Sequence, residues 1–339
     1  MGILYKEGKL LFMKVFVTGG TGFIGGNLIK RLLKEGASVK ALVRDKSKAE
    51  EFERLGVRSV IGDITDKTSI KGVLKDCEIF FHLGNVSQWW VPDKSLYYRV
   101  NVEGTQNIML EALKEGVRKV VYTSSLAAIR QPGGTVTTEE MEHQRDFESH
   151  YGRSKFLAEK AILRIYRERG LPVVILNPGV VIGPGDLKTF GRTIIELLGG
   201  KLKARLFEES VIPLVYIDDV IEGLMLAAEN GRTGEKYILV GDNVSIRYVF
   251  ELVNEITGVS IPDRRMPPSL MKLIAYFLEA RALFTEKPPK FSTDGIRAME
   301  IGASGANRKA REELQLNFTP LEQALRRTIA WYKEKAYVL

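Results

Sequence analysis

Tyr151 and Lys155 stand four residues apart in the segment SHYGRSKFLAEKAI (149–162). Its later positions, Leu157, Ala161 and Ile162, recur at helical spacing. On a helix, that separation puts both side chains on one face and within reach of each other. A free phenol titrates near ~10, too high for a base at neutral pH. A nearby ammonium favours the phenolate and brings the group toward the range that general acid–base catalysis needs. The pair could move a proton to or from a carbonyl oxygen while a hydride moves to or from its carbon. Tyr-x-x-x-Lys also arises by chance as a surface pair, so its meaning depends on what precedes it.

Two features precede it. The run RKVVYTSS (118–125) reads as a strand ending in Thr123, Ser124 and Ser125. The carboxyl ends of strands face the ligand crevice in open α/β sheets, where Ser125 could orient a carbonyl oxygen. Further upstream, VTGGTGFIGGNLIKRLL (17–33) places Gly19, Gly22 and Gly25 at a strand-to-helix turn. Glycine lets the backbone turn tightly and approach a pyrophosphate, whose charge then meets free N–H groups at the helix start. About 20 residues on, an NAD site wants an acidic residue for the ribose 2′-hydroxyl. This chain offers Arg44, then Asp45, with Lys46 and Lys48 nearby. Such a cluster suits a 2′-phosphate, so NADP is the expected cofactor, with NAD through Asp45 as the alternative. In IGDITD (61–66), Asp63 is placed to reach an adenine edge with Ile64 beside it. An N-cap role for Asp63 or Asp66 is the competing reading.

The elements that must position these residues alternate. Strand-like runs fall at 14–19, 38–43, 57–62, 77–83, 118–125 and 172–179. Helical stretches fall at about 23–35, after each of the second and third strands, around 96–115, and from the Tyr/Lys segment onward. Alternation of this kind predicts right-handed βαβ units and a parallel sheet covered on both faces. Beyond Pro178, short strands (IPLVYI, KYILVG) mix with helices at 218–229, 245–257, 269–282 and 320–335. The predicted fold is α/β, a Rossmann-type doubly wound parallel sheet with a smaller C-terminal α/β substrate lobe. The expected division is an N-terminal extension (1–12), a dinucleotide-binding domain (13–178) and a substrate lobe (179–339). Segments such as 212–242 are expected to return to the main sheet.

Composition narrows the class. The chain has 339 residues, 45% of them hydrophobic and 27% charged, as a soluble globular enzyme would. A single cysteine, Cys77, excludes an intrachain disulfide and suits a reducing, cytoplasmic setting. Three histidines (82, 143 and 150) and no Cys/His cluster give no metal site. The net charge of +8 is spread through Lys/Glu mixtures, which read as solvated faces and not as a nucleic-acid surface. No apolar run has the length of a membrane span. MGILYKEGKLLF (1–12) fits neither a signal peptide nor a myristoylation pattern, and Met13 could be the true start. The segment SLMKLIAYFLEARALF (269–284) carries Leu270, Leu273, Ile274, Phe277 and Leu278 on one stripe. Intramolecular packing is the ordinary reading of such a stripe. Contact with a membrane surface is the alternative, and it would matter for a sterol-like or hopanoid-like substrate.

Together these residues resemble the extended short-chain dehydrogenase/reductase family. The match runs through TGGTGFIG, GDITD, FHLGN, NVEGT, YTSS, YGRSK, NPGVVIGPGD and YIDDV in the family's order. The resemblance implies Ser125, Tyr151 and Lys155 as the catalytic set, with Asn101 supporting the lysine through water. It implies a cofactor site lined by Gly19, Gly22, Phe23, Ile24, Gly25, Arg44, Asp63, Ile64, Leu83, Gly84, Tyr151, Lys155 and Val181, with Lys155 on the nicotinamide ribose and Pro178 beside the nicotinamide. Asp219 is implied to be structural, tying the lobes. LVR (42–44) and the closing LNFTPLEQALRRTIAWYKEKAY look most like the dihydroflavonol-4-reductase-like group, which takes in hopanoid-associated epimerase-like proteins and relatives of 3β-hydroxysteroid dehydrogenases. Sugar 4,6-dehydratases carry Asp-Glu where this chain has Ser125-Leu126, which speaks against that reaction. Trp89 and Trp90 follow the fourth strand, where they could stack on a substrate ring or simply pack the loop. Ser87, Ala127 and Asn177 complete the expected substrate contacts. The segment 126–150 is expected to cover the substrate, with His143 or His150 in reach of it. A homodimer built on a four-helix bundle is a further implication. The expected activity is NADP(H)-dependent hydride transfer to a carbonyl or from a secondary alcohol. The alternatives are a redox-neutral nucleotide-sugar epimerase, a 3β-hydroxysteroid-dehydrogenase-like enzyme and a non-catalytic NADP-binding regulator.

Overall fold

The computed structural model describes residues 13–131, 134–143, 147–285 and 287–338. The expected extension at 1–12 lies outside them. The first half alternates as its sequence pattern requires: β1 (Lys14–Thr18), α1 (Phe23–Lys34), β2 (Ser38–Val43), α2 (Lys46–Arg54), β3 (Arg58–Ile61) and β4 (Ile79–His82). Then follow α3 (Ser95–Tyr98), a π-helical turn (Arg99–Gly104), α4 (Thr105–Lys114), β5 (Lys119–Thr123), the two-residue β6 (Val136–Thr137) and α5 (His150–Arg169). The second half holds β7 (Val173–Pro178), β8 (Val180–Ile182), α6 (Phe190–Leu198), β9 (Val211–Tyr216), α7 (Ile217–Asn230), β10 (Lys236–Leu239) and β11 (Asp242–Ser245). It closes with α8 (Ile246–Thr257), α9 (Pro268–Thr285), α10 (Thr293–Ile301), β12 (Ser304–Gly305), α11 (Arg308–Glu313) and α12 (Leu321–Glu334).

Among the described residues, seven strands form one sheet in the order β10-β7-β5-β4-β1-β2-β3, with every pair parallel. Parallel strands buried on both faces read as unbroken apolar runs, and β1 shows why. Val15 and Val17 enter the core under α1 and α7, while Phe16 points into the core under α4 and α5. α1 turns Leu28, Ile29 and Leu32 inward at helical spacing. Each such fully buried side chain contributes roughly 1.5–3 kcal/mol. The strand order reverses between β1 and β4, and ligands bind at the crevice that such a reversal opens.

Three expectations need correction. The stretch after β3 is a series of turns instead of a helix. Asp63 and Asp66 capture the N–H groups of Thr65 and Thr68 at 2.8 and 2.9 Å, and such local side-chain bonds compete with helical ones. The helix around 96–115 is interrupted by the π-helical turn, where Gly104 lies against Ile64 and a Cβ would come within 2.7 Å of it. Within 212–242 only β10 joins the large sheet. β9 pairs with β8 in parallel and with β11 in antiparallel, making a second, three-stranded sheet. Asp219 on α7 accepts from the Thr319 N–H and hydroxyl at 2.8 and 2.7 Å, which fastens α7 to the segment leading into α12.

Candidate active site

At the end of β1 the chain turns through three glycines for two physical reasons. Gly19 has φ of +73°, and a Cβ there would lie 2.5 Å from the Leu83 carbonyl carbon. A Cβ on Gly25 would lie 2.2 Å from the Gly19 carbonyl oxygen, so helix and strand meet only with hydrogen at that position. Gly22 donates to the Gly19 carbonyl at 3.0 Å and opens α1 with no side-chain cap and no acidic residue in the first turn. The free N–H groups of that turn form an anion-binding helix start. This cradle fits a dinucleotide pyrophosphate through those free N–H groups, and Gly22, where an added Cβ would meet only the Gly19 carbonyl oxygen at 3.3 Å, keeps the turn open beside them.

Around it stand the other residues expected at the cofactor. Phe23 and Ile24 are partly buried, and Phe23 reaches Gly185 beyond β8. Leu83 and Gly84 follow β4, and Gly84 donates to the Thr18 hydroxyl at 3.3 Å. Pro178 ends β7 buried, and Val181 lies partly exposed in β8. Ile64 is buried against Gly104. One Asp63 oxygen is occupied by Thr65 within a turn, and no helix follows for it to cap, so the N-cap reading of Asp63 fails. Arg44 is exposed at the end of β2. Asp45 accepts from the Ser47 N–H at 2.7 Å and caps α2, which draws its carboxylate into the helix start.

His82 is fully buried between Thr18 and Thr105, its Nδ1 2.6 Å from one hydroxyl and its Nε2 2.9 Å from the other. Burial, reinforced by the charge of Lys155, lowers its pKa to about 3, so the ring is neutral at physiological pH. It braces β1 against β4 at the point where the strand order reverses.

The hydroxyl-bearing end of β5 meets the first turn of α5. Ser149 caps α5 by accepting from the Gly152 N–H at 3.0 Å. A Cβ on Gly152 would lie 3.1 Å from the Ala127 carbonyl oxygen, so the glycine lets α5 pack on the turn that follows Ser125. Tyr151, partly accessible, then lies close enough to Ser125 for that hydroxyl to act on its proton affinity. Burial raises the phenol above its ordinary value and the Ser125 hydroxyl works against that rise. This departs from the expected lowering by an ammonium. The physical reason is that Lys155 is completely buried and donates to the Thr123 carbonyl oxygen at 2.8 Å, with its Nζ 4.5 Å above the Tyr122 ring. Burial brings Lys155 down to about 7, and the nearby Glu159 carboxylate pulls it back up. Asn101, expected to support Lys155, spends its side chain elsewhere. It accepts from the Val86 N–H at 2.7 Å and donates to the Val86 carbonyl and to Ser154 at 3.0 and 2.9 Å. It thereby clamps the loop after β4 to α5.

Glu159 escaped the sequence reading. It lies one further turn along the face of Tyr151 and Lys155, a spacing that was visible, but the surrounding Lys/Glu pattern resembles a solvated surface. It is buried, and accepts from Ser124 at 2.5 Å and from the Asn177 amide at 2.6 Å. Lys236 of β10 reaches its other oxygen at 2.6 Å. Asn177 is therefore not at the substrate as expected. It is fully buried, and its amide also donates to the Ser125 carbonyl at 2.9 Å.

The remaining expected contacts divide. Trp89 is exposed and meets Tyr151 edge-on at 5.9 Å between ring centroids. Trp90 is buried, as the loop-packing reading requires, with Lys94 above its ring. Ser87 is exposed and Ala127 partly so. His150 bonds Tyr98 at 3.0 Å and stacks on Tyr97. His143 is buried against Phe147 and near Glu148, away from solvent. A cavity of about 640 Å³ lies in the second half, walled by Phe207, Met266, Pro267 and Ile301 together with Gln131, Arg205 and Glu208. α10 leads to it, since Gly295 touches Trp89 and Ile301 lines the cavity.

Known proteins carry the same architecture. The NAD dependent epimerase/dehydratase family matches residues 15–241. Sterol demethylase protein B of Methylococcus capsulatus is 32% identical over 331 residues, spanning 96% of this chain and 100% of that protein. A Synechocystis sp. protein named as a dihydroflavonol 4-reductase is 33% identical over 334 residues, 95% of each chain. The crystal structure of gox2253 superposes with a TM-score of 0.81 at 33% identity, covering 96% of this chain and 99% of that one.

Proposed function

The chain belongs to the NAD-dependent epimerase/dehydratase family, and from that membership we propose that it reduces the carbonyl of a bulky apolar substrate with NADPH. The observation that carries this reading is the Tyr151 phenol beside exposed Trp89 at the end of β5, with Lys155 buried one turn behind it and held by the Thr123 carbonyl that precedes Ser124 and Ser125. Ser125 and Tyr151 both donate to the substrate oxygen, and Tyr151 releases its proton to that oxygen. A phenol raised by burial is protonated at neutral pH, the state that a reduction starts from. Lys155, held by the Thr123 carbonyl, lends positive charge to the phenolate left behind.

The bound nicotinamide supplies the hydride. Gly19, Gly22 and Gly25 would hold its pyrophosphate, with Phe23, Ile24, Asp63, Ile64, Leu83, Gly84, Pro178 and Val181 around it. NADP preference is supported by Arg44. It is exposed and makes no hydrogen bond or ion pair with a described residue, while the neighbouring Asp45 carboxylate is engaged in capping α2. The apolar character of the substrate is supported by Trp89 beside Tyr151 and by the apolar walls of the cavity. The sterol named for one relative is an apolar ring system, and the dihydroflavonol named for another is a bulky one.

Tyr151→Phe tests the assignment. NADPH binding, read by fluorescence, is expected to persist while turnover falls by about 10²–10⁴-fold. Undiminished turnover would overturn the role of Tyr151.

A further inference from the structure

Helix α9 turns an apolar face to solvent. Leu270, Leu273, Tyr276, Phe277, Leu283 and Phe284 are all exposed, Phe277 by 70% and Phe284 by 90%. At 3.6 residues per turn they fall within an arc of roughly 140°. Met271, Ala275 and Ala282 on the other side are buried, with Met271 and Ala275 packed against Ile296 of α10. Single exposed apolar residues are ordinary on a protein surface. A stripe of six is not, and marks an interaction site. The expectation of internal packing for this stripe thus fails at Leu270, Leu273 and Phe277, while Ile274 and Leu278 are partly covered.

Charge and position identify the occupant. Exposed Arg281 borders one edge of the stripe, and Lys272, paired with Glu300 at 2.8 Å, the other; exposed Lys287 and Lys290 follow the helix, with Lys290 paired to Glu196 at 2.9 Å. Glu279, the only acidic residue in α9, is turned toward α10, accepting from the Thr293 N–H at 2.8 Å. The cations left without an ion-pair partner among the described residues, Arg281 and Lys287, complement an anionic surface, whereas a second copy of this chain would bring the same cations together. The face is also continuous with the substrate side. Met266, Pro267 and Pro268, at the start of α9, line the cavity opposite Ile301. From Ile301, α10 runs back roughly 9 Å to Gly295 against Trp89. Among the described residues no helix is long and apolar enough to cross a membrane, so a helix of this kind lies in the surface plane.

We infer that α9 rests on an anionic lipid surface, with the cavity mouth at its N-terminal end turned toward that surface. This inference deepens the proposed function, because an apolar substrate partitions into lipid and would enter from it. Vesicle binding is measured without turnover, so failure of one claim leaves the other standing.

The test is flotation of the full chain with phosphatidylcholine vesicles, with and without phosphatidylglycerol. The expected result is binding that requires phosphatidylglycerol and weakens with added salt. The double variant Phe277→Ser/Phe284→Ser is expected to bind at least about tenfold more weakly while retaining NADPH affinity. Arg281→Glu, which leaves the apolar stripe intact, should weaken binding in the same direction. Three results would overturn the inference: no flotation of the wild-type chain, equal binding to phosphatidylcholine alone, or a wild-type dimer that the double variant converts to monomer without any vesicle binding.

Discussion

Glu159 lies one helical turn beyond Lys155 on α5, and both are buried. The lysine is tied to the Thr123 carbonyl, and the glutamate to Ser124, Asn177 and Lys236. A carboxylate so placed sustains the charge of an ammonium that burial has brought to about 7. It also connects that ammonium to the strand ends on either side of Ser125. We propose that Glu159 is a positioning residue that acts through Lys155.

Glu159→Gln should therefore move the pH profile. In the reductive direction, activity needs charged Lys155 and is lost as pH rises through about 7. Removing the carboxylate lowers the lysine further, so the alkaline limb of kcat/KM shifts to lower pH. Activity above pH 7 should drop severalfold with NADPH affinity retained. An unmoved limb would leave Glu159 a purely structural residue.

Lys155→Met separates function from stability. The folded-state pKa of Lys155 lies below its ordinary value of 10.5. The unfolded chain therefore binds more protons between about 7 and 10.5, and stability from this group rises with pH across that window. At pH 7 and below, the folded protein carries the cost of a buried charge. The apolar variant should be inactive and at least as stable to urea as the wild type, a trade expected where function requires a strained site. Marked destabilisation at pH 7 would contradict it.

His82 should shape the acid limb of stability. Its folded-state pKa is lowered from 6.5 to about 3. Its contribution is complete above 6.5 and is lost as pH falls toward 3, because only the unfolded chain takes up the proton in between. Between pH 7 and pH 5 this amounts to about 2 kcal/mol. Urea denaturation of His82→Asn, compared with wild type at the two pH values, should show a correspondingly smaller loss.

Arg44→Asp should reverse cofactor preference. Loss of a charge-assisted bond to a 2′-phosphate weakens NADPH by roughly 10- to 100-fold, while the new carboxylate favours the 2′-hydroxyl of NADH. Titration of both cofactors would show the crossing. Unchanged NADPH affinity would remove Arg44 from the site.

The parallel sheet and the glycine cradle were legible because their causes are local. Apolar runs bounded by glycine mark buried strands, and Gly19 and Gly25 answer to backbone clashes that any side chain would create. The Tyr151–Ser125 meeting was legible from order and spacing. Glu159 was not, since its neighbours in sequence are charged and its burial depends on β7 and on β10, the second of which arrives much later in the chain. The α9 stripe had the right periodicity and the wrong destination. Periodicity tells which residues share a face, and only the packing of α10 tells which way that face turns. The turns after β3 were missed because two aspartates take N–H groups that a helix would have used.

The central claim is a net reduction, and nicotinamide absorbance over time tests it most directly. The chain would be given NADPH, and separately NADH, with 3-ketosteroids, flavanonols, simple ketones and nucleotide sugars. The account predicts loss of NADPH absorbance with an apolar ring ketone, slower loss with NADH, and none with Tyr151→Phe. No net change with any ketone, together with conversion of a nucleotide sugar to its epimer, would contradict it.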